Sequence, residues 1–271
     1  MQENSALGRA QAMVRDLRQR CPWDRIQTRE TIRPYLIEEV FELDHAIEEG
    51  RPEAIREEVA DLLLHLGWQL ELAEERGEFT ADDVATDLER KMRRRHPHLF
   101  DLGPAERWEN LKRKERQRGV LEGLPPALPS LLMAYRLQER AASVGFDWPD
   151  TTGPLDKIRE ELAEVEEALE RDRDNAGPPV GAAASASEST EPVYPEPSAA
   201  LVEEIGDLLF AVVNLARKAH VHPDAALDRA NRKFRERFRR VEDLAAQRGV
   251  EVTTAGLEAL DRLWTEVKQG E

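Results

Sequence analysis

Sulfur chemistry is nearly absent from this chain. Cys21 is its one cysteine, so no disulfide can form within it, which suits a reducing compartment. Tyrosine, phenylalanine and threonine are sparse beside glutamate, arginine, leucine and alanine. That balance favours helix over strand, and no window alternates with period two, so no substantial sheet is expected. Long apolar runs are missing as well. Leu208 to Val213 is the longest near a helix centre, far below the roughly 20 residues that span a bilayer. Met1 to Gln11 lacks the apolar core of a signal peptide. The expectation is a cytoplasmic protein with no membrane partner. Basic residues are outnumbered, 39 against 55 acidic, for a net charge of −16. Such a surface repels a phosphate backbone, which argues against a nucleic-acid partner. A small anionic substrate is not excluded, because a bound divalent metal inverts the local sign. There is no P-loop, G-x-S-x-G or dinucleotide fingerprint.

What is present is helical patterning. Apolar residues recur at helical spacing in Leu7–Arg20. Pro34 is placed to open a helix reaching about Glu49, with Leu36, Ile37, Val40, Phe41, Leu43 and Ile47 inward. After Gly50 and Pro52, a long helix to about Arg76 would turn Ile55, Val59, Leu62, Leu63, Leu66 and Leu70 inward, and Gly77 stops it. Thr80 with Asp83 caps a helix reaching about Arg95. A short helix is expected around Trp108 and Leu111. The proline- and glycine-rich stretch 119–129 reads as a linker between domains at 1–118 and 130–271. Further helices are expected at about Ser130–Val144, Leu155–Arg171, Ala199–Ala219 behind Ser198, Pro223–Gln247 and Thr254–Lys268. Residues 172–198, rich in Ala, Ser, Pro and Gly, bury too little apolar surface to order themselves.

The chain also repeats itself. Glu38-Glu39-x-x-Glu42 followed by Glu58-x-x-Asp61 returns as Glu160-Glu161-x-x-Glu164 followed by Glu204-x-x-Asp207. Lys91 and Arg95 match Lys233 and Arg237; Trp108 and Lys112 match Trp264 and Lys268; Trp23 and Trp148 each precede the acidic set. One spacing differs. Glu42 to Glu58 is 16 positions, and Glu164 to Glu204 is 40. The excess is close to the length of the low-complexity tract, which is therefore an insertion between two acidic helices.

Positions three and four apart share a helix face. Glu39 with Glu42, and Glu58 with Asp61, would therefore converge when their helices pack. Like charges so close need a cation, and an all-oxygen donor set selects a hard ion, Mg²⁺ first, with Mn²⁺ as a substitute. Lys233 and Arg237 share a face suited to phosphate oxygens. Trp264 suits either base stacking or core packing. A single acidic helix face is ordinarily just a solvated surface; the duplicated set is not so easily set aside. Glu42-x-x-His45 lacks the second motif that a di-iron bundle requires, since Glu167 stands where a second histidine is needed. His96-Pro97-His98 lacks further ligand spacing and reads as a loop. Arg159-Glu160-Glu161 departs from the Nudix helix at Ala163.

The order of CPWD (Cys21 to Asp24), the first acidic set, RRHPH (Arg94 to His98), GFDW (Gly145 to Trp148), the second acidic set and KFRERFR (Lys233 to Arg239) resembles the MazG family of all-α nucleoside triphosphate pyrophosphohydrolases over nearly the whole chain. The resemblance implies an all-α fold of two tandem helical-bundle domains, dimerising into larger bundles as a homodimer. It implies Mg²⁺-dependent cleavage of ribo- and deoxyribonucleoside triphosphates between the α and β phosphates, as housekeeping or catabolism of the nucleotide pool. By position it makes Glu161, Glu164, Glu204 and Asp207 the metal ligands of a catalytic second domain. Glu39, Glu42, Glu58 and Asp61 are their counterparts in the first. Lys233, Arg237 and Trp264 would contact nucleotide. Apart from the resemblance, a carboxylate not fully engaged with metal, with Glu160 as the candidate, would orient and deprotonate the attacking water. Two other classes stay open at this point: a module that binds nucleotide and Mg²⁺ without turnover, and a helical scaffold with solvated acidic faces.

Long surface insertions cost little loop entropy. Excising the low-complexity tract should therefore leave soluble protein with an unchanged helical circular-dichroism spectrum; insoluble product would contradict the insertion reading.

Overall fold

Ten α-helices and one 3₁₀ turn make up the regular structure of the described residues, with no strand among them. The structure is a computed structural model and describes residues 5–100, 102–104, 119–176 and 196–270. The chain divides into two compact units, Met1–Leu111 and Lys112–Glu271.

In the first unit, α1 (Ala6–Arg20), the short α2 (Pro22–Arg25), α3 (Arg29–Glu49), α4 (Pro52–Glu75) and α5 (Ala81–Arg95) follow one another. Gly50, at φ 65°, ends α3 in the left-handed conformation that a side chain would disfavour. Pro52 at the first turn of α4 costs no hydrogen bond. With so short a connection, α3 and α4 pack as an antiparallel hairpin. Helix α1 lies on α4, and Val14, Ile32, Trp68 and Leu72 form the core. Next to it, the buried Glu71 carboxylate accepts from Gln11 Nε2 at 2.5 Å and from Arg15 Nε at 3.1 Å. These bonds satisfy a charge that would be costly to bury alone. A capping box of Thr80 and Asp83 starts α5, which buries no side chain.

The second unit holds α6 (Ser130–Ala142), α7 (Thr152–Ala176), α8 (Ala199–Lys218), α9 (Pro223–Gln247) and α10 (Gly256–Gln269). Helices α7 and α8 pair over Val165, Ala168, Leu201 and Leu208. Helix α6 packs on α8, where Gln138 Nε2 donates to the Phe210 carbonyl at 2.8 Å. Helices α9 and α10 close over Val241, Ala245 and Leu263. Arg140 Nη1 donates to the carbonyls of Leu121 and Glu122 and holds the segment before α6. Asp147 binds Arg217 and Lys218, tying the loop before α7 to the end of α8.

Three expectations are corrected. Pro34 does not open α3; a Thr28–Thr31 capping box starts the helix at Arg29. Pro34 lies inside the helix, where a proline lacks the bond to the carbonyl four residues back and crowds that carbonyl. Ile37, Val40, Phe41, Ile47, Val59 and Leu66 are not inward but more than a third exposed. Helix α1 covers one side of the hairpin, and apolar residues surround more of it than one helix can cover. The second acidic helix runs on to Ala176 instead of stopping at Arg171. Asp172 Oδ2 there accepts from the Ser198 backbone N–H at 3.1 Å, so both ends of the intervening segment meet. Residues 177–195, and the helix expected around Trp108, lie outside the described residues.

Close helix contact in the first unit depends on Gly67, where an added Cβ would stand 2.8 Å from Val14 Cγ2. Gly67→Ala should destabilise the protein by about 1–3 kcal/mol through overpacking, read as a lower urea midpoint; an unchanged midpoint would contradict this packing.

Candidate metal and nucleotide sites

Each helix hairpin gathers carboxylates. On α3 and α4, one oxygen from each of Glu39, Glu58 and Asp61 lies within 4.8 Å of the others. On α7 and α8, Glu161, Glu164 and Glu204 do the same. In each unit the packing of the two helices against each other brings these carboxylates together. The two sets share the equivalent pairs Glu39 with Glu58 and Glu161 with Glu204. Their third members differ: Asp61 in the first, Glu164 in the second. Glu42 and Asp207 fall outside the two sets, and Asp207 is exposed on α8.

Crowding shows in the acidities. Burial pushes the Glu39 carboxyl above its ordinary pKa, and Asp61, Glu42 and Glu58 add to the shift. Burial raises Glu58 too, helped by Glu42 and Asp61. Glu164 is raised by its hydrogen bond to Glu161, then by burial and by the Glu161 and Glu204 charges. In both clusters the ionised state is held at a cost, which is the electrostatic signature of a site that favours a cation. Three carboxylates without nitrogen or sulfur donors fit a hard divalent ion.

Two residues beside these clusters escaped the sequence reading. Lys157 Nζ lies 3.0 Å from Glu160 and 2.5 Å from Glu161, and these bonds raise its pKa, the one to Glu161 most. Its i,i+3 and i,i+4 spacing to the two glutamates was readable. Glu160 therefore stands outside the converging set, in an exposed ion pair. His65 is buried, with Nε2 3.8 Å from Glu39, and burial lowers its pKa. An apolar helix face offered no signal for it.

Lys233, Arg237 and Trp264 come together on α9 and α10. With Ala230, Asn231 and Phe234 they line an open groove of ≈ 350 Å³ that contains none of the acidic residues. Ala230, Lys233, Phe234 and Arg237 form one i,i+3,i+4,i+7 stripe, so Phe234 was legible in retrospect. Phe234 meets the Trp264 ring at 5.3 Å between centroids. Trp264 also packs against the core of Val241, Ala245 and Leu263, so it borders both groove and core. In the first unit Lys91 and Arg95 lie on α5, while Trp108 and Lys112 lie outside the described residues.

Comparison with known proteins covers the same elements. The model of the MazG nucleotide pyrophosphohydrolase domain matches twice, at residues 27–100 and 152–241. These spans contain both acidic sets together with Lys91, Arg95, Lys233 and Arg237. The chain is 39% identical over 257 residues to the nucleoside triphosphate pyrophosphohydrolase/pyrophosphatase MazG of Thermotoga maritima, covering 93% of this chain and 90% of that one. To the nucleoside triphosphate pyrophosphohydrolase of Escherichia coli it is 39% identical over 270 residues, covering 95% and 94%. A Mycobacterium tuberculosis nucleoside triphosphate pyrophosphohydrolase is 32% identical over 184 residues, 64% of this chain and 54% of that one. With a duplicated domain match and near full-length similarity, the chain belongs to the MazG nucleotide pyrophosphohydrolase family.

Proposed function

We propose that this protein hydrolyses ribo- and deoxyribonucleoside triphosphates between the α and β phosphates, giving monophosphate and pyrophosphate, with the catalytic site in its second unit. The observation that carries this reading is the convergence of Glu161, Glu164 and Glu204 in the same unit as the groove of Lys233, Arg237 and Trp264. The names of the relatives from T. maritima and E. coli support the same reaction.

Glu161, Glu164 and Glu204 hold Mg²⁺, for which Mn²⁺ substitutes, with Asp207 one helical turn from Glu204 on α8 as a fourth acid. The bound cation supplies Lewis acidity toward phosphate oxygens. Glu160 lies beside Glu161 but outside the converging set, and orients and deprotonates the attacking water. Lys233 and Arg237 offset the charge that builds on the leaving pyrophosphate. Trp264 and Phe234 present rings to the base without reading its edges, which suits broad base tolerance. The first unit keeps Glu39, Glu42, Glu58 and Asp61 as a second metal site. The chain is organised as domains at 1–118 and 130–271 joined by 119–129. A second copy covers the exposed apolar stripe of Ile37, Val40, Phe41 and Ile47, making a homodimer. No helix among the described residues is long and apolar enough to cross a membrane, and we place the protein in the cytoplasm, at work on the nucleotide pool.

Two outcomes are expected. Glu161→Gln should lower kcat by at least about 100-fold with unchanged helical content; retained turnover would remove the second site from the mechanism. The second concerns pH. Glu39, Glu58 and Glu164 have pKa values raised in the folded state. Their protonated forms stabilise the fold below the unfolded carboxyl pKa of about 4.3, and that stability is lost as pH rises through the raised values. The metal-free protein should lose thermal stability over that rise, and the gain in Tm on adding Mg²⁺ should grow with it. A pH-independent gain would contradict the electrostatic account.

A further inference from the structure

The internal repeat provides a comparison at a single position. Lys157 precedes Glu160 by three residues, and the same offset from Glu38 falls on Tyr35. One copy carries an ammonium group there and the other a phenol. The Lys157 ammonium binds both Glu160, at 3.0 Å, and Glu161, at 2.5 Å. The Glu161 side chain is 5% exposed and belongs to the converging set of the second site. Part of the positive charge those carboxylates require is thus already supplied from within the helix.

The first site has no such group among the described residues. Among the described residues, no lysine or arginine pairs with Glu39, Glu58 or Asp61; their one basic neighbour in ion-pair range is His65, 3.8 Å from Glu39. Tyr35 instead pairs with Trp23 in a T-shaped arrangement, at 6.3 Å between centroids. The third member of the set changes too, from Asp61 to Glu164.

We propose that Lys157 is a built-in counter-ion of the second site, which a divalent cation has to displace from Glu161 in order to bind, whereas the first site binds its cation without a competitor. This rests on the reading of the carboxylate sets as metal sites. An ammonium and a divalent ion on the same carboxylate repel each other at short range. Metal entry therefore costs the Lys157 pairs, and the affinity of the second site for free metal lies below what its carboxylates alone would give. In return the metal-free site carries a smaller electrostatic penalty. The Lys157 side chain is 42% exposed, so it has solvent to swing into once displaced.

Free Mn²⁺, followed by its electron paramagnetic resonance signal in titrations of the full chain, reads this directly. With Glu58→Gln and Asp61→Asn removing the first site, Lys157→Met should tighten Mn²⁺ binding at the second roughly three- to tenfold, and Lys157→Arg should keep the original affinity. Unchanged or weaker binding in Lys157→Met would overturn the proposal. Should that variant fail to fold, Tyr35→Lys in the otherwise unaltered chain decides the matter: weaker binding at the first site supports the competition, and unchanged binding refutes it. Absence of Mn²⁺ binding before any substitution would instead reject the metal reading itself, and this proposal with it.

Discussion

Three carboxylates held within 4.8 Å of one another, twice in one chain, are the constraint on which the rest of this structure depends. Each set opposes its own ionisation, as the raised pKa values of Glu39, Glu58 and Glu164 show. A fold can hold such a cluster only if its scaffold is paid for elsewhere. Here that stability comes from antiparallel hairpins whose other sides are apolar, Val14, Trp68 and Leu72 behind the first and Val165, Ala168 and Leu201 behind the second. The hairpin is at once the source of stability and the device that brings the acids level.

The duplicated units solve the same electrostatic problem differently. In the second, Lys157 enters the cluster from one turn earlier on the same helix. In the first, a buried histidine stands by Glu39 and a tyrosine occupies the lysine position. The second unit also holds a groove where basic and aromatic side chains meet. This asymmetry supports catalysis in the second unit.

Much of this was legible beforehand because helix chemistry is local. Thr80 with Asp83, and Ser198, announced their helices correctly, since caps depend on residues within one turn. The acidic sets were legible from i,i+3 spacing and from their repetition. What failed was long-range. Spacing placed Ile37 and Phe41 on an apolar face but carried no information on what would cover it, and in the structure they are exposed. Pro34 misled because it was read alone, without the Thr28–Thr31 box that starts the helix ahead of it. Which three of each four carboxylates would converge most closely, without Glu42 in one copy and without Asp207 in the other, depends on helix rotation and on neighbours such as Lys157.

The most direct test of the central claim is product analysis with a panel of ribo- and deoxyribonucleoside triphosphates, with and without Mg²⁺. Monophosphate and pyrophosphate in equal amounts, formed only with the metal, are the result this account predicts. Diphosphate and orthophosphate, or turnover indifferent to a chelator, would contradict it.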